Sequence, residues 1–204
     1  MRIFLFLVLL LVSSDLMAQG LAEQIRKAHG DWSDVKFVEF TWTAQARGMS
    51  RTYVWDRTTG RVKATIGDTT VDIPATGAGL KETNEIEAHK AFINDSYWLL
   101  FEQFIFRDDV ELVEGAGKIP GQESESKWLE VRYSSGGYTP GDTYRLYVND
   151  KGVVFGWAYF PGGQKEPRFY MTREALQTQA GITFPTDFKQ DSKTVIKLEN
   201  VKIR

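Results

Sequence analysis

The sequence predicts a mainly β (α+β) chain of about ten antiparallel strands, and three observations predict it. Apolar and polar residues alternate with a period of two over several short runs, Gly-, Asn- and Asp-bearing turns separate those runs closely, and aromatic residues make up 13% of the chain. Period two marks a half-buried strand. Close turn spacing favours an antiparallel meander over crossover units. Aromatic side chains pack well on a pleated surface.

In chain order, Leu21, Ile25 and Ala28 fall at i, i+4 and i+7 and predict a short helix ended by Gly30. Val38, Phe40, Trp42 and Ala44 then alternate with Glu39, Thr41, Thr43 and Gln45 as a first strand. Residues 51–56 predict a second strand, turned at Asp56–Gly60 into a third over 61–66, and Gly67–Asp68 leads to a fourth over 69–73. The stretch from Asn84 to Ile93 predicts a helix, and Asn94 or Asp95 an N-cap that starts a second, shorter one. Strands return at 109–113 and 127–133, with a polar loop expected between Gly115 and Ser126. A hairpin follows, 143–148 and 153–160, turning at Asn149-Asp150-Lys151-Gly152. Further strands are expected at 167–172 and at 181–185, the latter an edge because of Pro185, and 194–203 closes the chain.

The first eighteen residues predict a cleavable signal peptide: Arg2, an apolar run from Ile3 to Val12, then Ser13, Ser14 and Asp15, with Ala18 as a cleavage residue. The run is half the length that a spanning helix needs. The expectation is therefore a periplasmic or secreted protein with one domain over 19–204, and no later stretch predicts a membrane span. The formal net charge of -2 stays unchanged on removing Arg2 and Asp15 and offers no basic face for nucleic acid. With no cysteine, disulfides, thiol catalysis, thiolate metal sites and lipid attachment through cysteine are excluded.

Three segments resemble the LolA-like superfamily, and most closely its uncharacterised exported bacterial members: Phe92-Ile93-Asn94-Asp95-Ser96-Tyr97-Trp98, the Asp150-Lys151-Gly152 hairpin with Phe155-Gly156-Trp157-Ala158-Tyr159, and Gly181-Ile182-Thr183-Phe184-Pro185-Thr186. The resemblance implies a curved antiparallel half-barrel with an N-terminal helix and a helical lid. It also implies an apolar ligand, with lipoprotein carriers as the founding members.

No catalytic constellation is visible. His29 and His89 sit in no ligand pattern, and read as solvated or helix-capping. Ser134-Ser135-Gly136-Gly137 is not a nucleophile elbow, and Gly77-Ala78-Gly79 lacks the Lys of a phosphate loop. Asp108-Asp109 and Glu123-Ser124-Glu125 read as solvated turns, so no metal and no cofactor are expected. The aromatics carry the functional expectation: Phe40 with Trp42, Tyr53 with Trp55, and Phe155 with Trp157 and Tyr159 share strand faces, and Trp98 and Phe101 lie on the helical segment. Together they are expected to line an apolar cavity for a lipid or lipidated peptide, with Asn94 and Asp95 as polar rim or cap. The alternative is a structural or protein-interaction module in which the same aromatics fill the core. A hydrolase ranks last.

Overall fold

A computed structural model describes residues 20–134 and 138–204. The expected signal peptide and the glycines of the Ser134–Gly137 turn lie outside the described residues. The chain is mainly β. Eleven strands form an open antiparallel sheet in the order β4-β3-β2-β1-β13-β12-β9-β8-β7-β6-β5, and β10 and β11 form a separate pair. The strands are β1 (Phe37–Ala44), β2 (Met49–Asp56), β3 (Arg61–Ile66), β4 (Thr69–Pro74), β5 (Val110–Lys118), β6 (Glu125–Tyr133), β7 (Thr143–Val148), β8 (Val154–Phe160), β9 (Phe169–Glu174), β10 (Gln177–Gln179), β11 (Ile182–Phe184), β12 (Asp187–Gln190) and β13 (Lys193–Ile203). Helix α1 covers residues 20–29, and helix α2 covers Thr83–Phe104. The described residues divide into two compact units, one from residues 20–29 and Glu102–Thr172, the other from Gly30–Phe101 and Arg173–Arg204.

In the second unit β1 is central, paired with β2 on one side and β13 on the other. Val38, Phe40, Trp42 and Ala44 all turn inward, as their alternation dictates. Across the ladder Phe40 faces Tyr53, Trp42 faces Arg51 and Val38 faces Trp55. Val62 and Ala64 on β3 and Ile73 on β4 extend this buried face. The β1–β13 ladder shifts register after Glu39, beside Asn200, whose φ of 54° is a conformation asparagine tolerates better than most residues. The expected late edge strand at 181–185 pairs only with β10, in the two-stranded sheet. Neither β10 nor β12 was expected, because Gln177-Thr178-Gln179 and Asp187–Gln190 are too short and polar to alternate visibly.

The first unit holds β5 to β8, most of β9, and α1. Leu21 and Ile25 are buried on α1, as their spacing requires, while Ala28 of the same expected face is half-buried and Ala22 is buried beside Leu21. The hairpin of β5 and β6 is longer than expected. Its ladder runs out to Lys118 opposite Glu125, so half of the expected loop is strand. Glycine makes this possible: a Cβ on Gly115 would sit 2.2 Å from the Trp128 ring, which lies over that backbone. Gly115→Ala is expected to lift this ring and cost about 1–2 kcal/mol, checked by urea denaturation read through Trp fluorescence.

β8 departs from its alternation. The β7–β8 register shifts after Tyr147, which faces Gly156 while Val148 faces Val154, leaving Phe155 as the extra residue of a bulge. Phe155 therefore packs against Ile119, Tyr147, Ala158 and Phe160, together with Trp128 and Tyr170. Trp157 and Tyr159 instead join Tyr144 and Phe169, with ring centroids 5.0–6.2 Å apart. The expectation that Phe155 shares a face with Trp157 and Tyr159 is overturned by this bulge.

Candidate functional site

The richest chemistry in the second unit lies where α2 meets β1 and β2. Phe92 on α2 packs against Tyr53 and Trp55, at 5.6 and 5.2 Å between ring centroids, and Tyr53 packs against Phe40 at 5.1 Å. One turn further along α2, Asp95 enters this aromatic layer with no exposed surface. Its carboxylate is well supplied with donors. Arg51 donates from Nη2 to Oδ1 at 2.8 Å, Asn94 donates from Nδ2 to the same oxygen at 2.8 Å, and the Tyr53 hydroxyl donates to Oδ2 at 2.7 Å. Arg51 Nε also lies 2.8 Å from Oδ2. The Arg51 guanidinium stacks 4.1 Å above the Trp42 ring.

Asn94 and Asp95 are therefore not an N-cap. α2 runs through both, and its break comes later, at Leu100, whose φ of -128° and ψ of 28° leave the helical region. The expected cap fails because the Asp95 side chain bonds across to β2 rather than back to its own helix. Its place inside an apolar layer has an electrostatic consequence. Burial pushes the Asp95 carboxyl up to about 6, outweighing Arg51, Asn94 and Tyr53, which favour the charged form. Burial and the facing carboxylate also raise the Tyr53 phenol.

The sign of the pH dependence follows. A carboxyl whose folded pKa lies above its unfolded value binds more protons when folded, so its contribution is fully present below the unfolded pKa and is lost as pH rises through the folded one. Between about pH 4 and pH 6, Asp95 thus makes stability fall with rising pH. Asp95→Asn is expected to remove this slope. Melting temperatures of both proteins across that window check it: parallel curves would contradict the assignment.

Both histidines are buried, contrary to the solvated reading. His89 stands on Gly77, where a Cβ would be 2.6 Å from its ring, and its Nε2 donates to the Ala75 carbonyl at 3.0 Å. That bond ties α2 to the chain just beyond β4. In the first unit, His29 Nε2 accepts the Val154 N–H at 3.0 Å, which places the ring proton on Nδ1, 3.5 Å from Glu102 Oε1. Each is a structural bridge between a helix and a neighbouring segment.

Of the residues expected to line one cavity, Phe40, Trp42, Tyr53 and Trp55 do share a face, and α2 packs on it through Phe92 and Asp95. Trp98 stacks edge-on to Phe188 at 5.0 Å, and Phe101 to Tyr97 at 5.4 Å. Trp157, Tyr159 and Phe155 belong to the other unit. Sequence reasoning missed Arg51. The signal was present, as a basic residue on the inward register of β2, two positions before Tyr53 and four before Trp55.

Among the described residues no group of three or more His, Asp or Glu side chains converges as a metal set. No described helix is long and apolar enough to cross a membrane. The polar atoms of the aromatic layer are not all satisfied. The indole Nε1 atoms of Trp42 and Trp55 are buried and have no hydrogen-bond acceptor among the described residues.

No protein-family model matches the chain, and no curated protein matches it. Among solved structures, the chain is similar to the crystal structure of a DUF1329 family protein from Desulfovibrio piger ATCC 29098 at 1.75 Å resolution, with 9% identity, a TM-score of 0.46 and 91% of each chain covered.

Proposed function

We propose that the protein is an exported, non-catalytic carrier that binds a lipid or lipidated peptide between α2 and the aromatic face of β1 and β2. The observation that carries this reading is the pair of buried indole N–H groups on Trp42 and Trp55. Buried donors are almost always paired, and each one left over is a cost of about 1–3 kcal/mol. An apolar layer that buries such donors in its closed form is better satisfied with a ligand that brings acceptors. α2 is suited to act as the lid, because polar links tie it to its surroundings: Asp95 to β2, and His89 to the segment after β4. Polar links can exchange partners, whereas a uniformly interdigitated core opens only by unfolding. An acyl chain placed on this face would contribute about 0.8 kcal/mol per methylene. An exported location follows from the residues before Gln19 and is part of the same proposal.

The close ring packing of Phe40, Tyr53 and Phe92 favours the alternative, a protein-interaction module with a filled core. Native mass spectrometry of the mature protein purified from a bacterial periplasm, with lipid extraction of the same sample, separates the two. A carrier gives co-purifying lipid at a defined stoichiometry, reduced in Trp42→Gln. A protein that carries nothing and fails to bind a fluorescent fatty-acid probe is the module.

A further inference from the structure

The Asp95 cluster offers more donors than it uses. Arg51 makes one well-directed bond to Asp95, from Nη2. Its Nε, though 2.8 Å from Oδ2, is buried and not aimed at that oxygen. Nη1 has no partner among the described residues. The Arg51 side chain is 16% exposed, so this end of the cluster reaches the surface, while Asp95 is fully enclosed. Directly beneath the guanidinium lies Trp42, 5% exposed, with its Nε1 buried and unpaired. On these two stacked side chains the N–H groups of Arg51 Nη1 and the indole N–H of Trp42 thus have no acceptor among the described residues. Hydrogen bonds from a guanidinium to an oxyanion are about twice as strong as neutral ones, and a planar fork fits a planar carboxylate.

We propose that Arg51 and Trp42 form the headgroup subsite of the carrier, holding the carboxylate of a long-chain fatty acid or a similar singly charged amphiphile. The inference rests on the carrier reading and adds the ligand's chemical class to it. Placing a second negative charge beside Asp95 is unfavourable unless Asp95 is neutral. The carboxyl facing Arg51 and Tyr53 on β2, and Asn94 on its own helix, takes up a proton at about 6. One proton on Asp95 compensates one ligand carboxylate. A phosphate dianion would leave a negative charge uncompensated in a buried layer, so the site selects single charges. Ligand uptake is then coupled to proton uptake, and the acid binds more tightly as pH falls from about 7.5 to about 6.

The test titrates the mature protein with dodecanoate and with dodecanol, which differ only in the headgroup, at about pH 6 and about pH 7.5. Isothermal calorimetry reads the affinities. Wild type is expected to bind dodecanoate about tenfold or more tightly than dodecanol. Trp42→Phe keeps an aromatic side chain but removes the indole N–H together with the five-membered ring, and Arg51→Gln removes the charge; both are expected to bring this ratio towards one. Circular dichroism confirms that each variant is folded, and Trp42→Phe alone suffices if Arg51→Gln is not. Equal binding of acid and alcohol overturns the headgroup subsite and leaves the carrier standing. Binding of neither removes the carrier as well. Displacement of dodecanoate by equimolar acetate or inorganic phosphate identifies a free-anion site and overturns the amphiphile assignment.

Discussion

Asp95→Ala is expected to destabilise the protein by about 3–5 kcal/mol, read as a lower urea midpoint at about pH 7.5 with an unchanged slope. The loss does not measure the strength of one ion pair. It arises because Arg51 and the Tyr53 hydroxyl, which has no exposed surface through its ring or its oxygen, are both left without their acceptor inside an aromatic layer. Burial alone already raises the Asp95 carboxyl, so the charged cluster is costly to assemble. It follows that removing both charges is far milder than removing one. The double variant Arg51→Met/Asp95→Leu is expected to recover most of the loss, as apolar replacements of buried ion pairs do. If Asp95→Ala costs less than about 1 kcal/mol, the cluster does not hold α2 in place and the lid assignment loses its anchor.

Gly30→Ala is the second large effect, with an expected loss of about 2–5 kcal/mol. Gly30 follows α1 with φ of 85°, which a side chain disfavours on its own account. A Cβ there would lie 2.1 Å from the Gly181 carbonyl oxygen and 3.0 Å from its carbon. Both obstacles are backbone, so no rotamer change relieves them. The turn before β11 must move, and with it Ile182, which is buried. Thermal melts of Gly30→Ala beside Gly60→Ala make the comparison clean. Gly60 has a similar φ of 66° and nothing within 4 Å of its would-be Cβ, so it reports conformational strain alone. Equal losses at the two positions would show that the contact with Gly181 carries no weight.

The mainly antiparallel β organisation, α1 and the helical insertion were legible from the residues, because period-two and helical spacings are local properties of the chain. So was the shared face of Phe40, Trp42, Tyr53 and Trp55, which needs only alternation and one hairpin. Bulges were not. Nothing in Val153–Tyr159 announces that Phe155 is the residue left over when β8 pairs with β7, since a bulge is a property of two strands at once. Arg51 and Asp95 were each visible as charged residues beside aromatics, yet their pairing was not, since it joins positions 44 residues apart. The histidines were misread for the same reason: the N–H that satisfies the buried His29 ring comes from Val154, 125 residues away.

Most of the longer strands, the two helical regions and the apolar side of β1 and β2 could be read from the residues alone, since side-chain periodicity and turn chemistry act over a few residues. Tertiary packing settled which polar groups are buried with partners, which are buried without them, and where burial raises a carboxyl above its ordinary range. Those outcomes depend on desolvation and on donors brought from distant strands, and neither exists until the chain is packed.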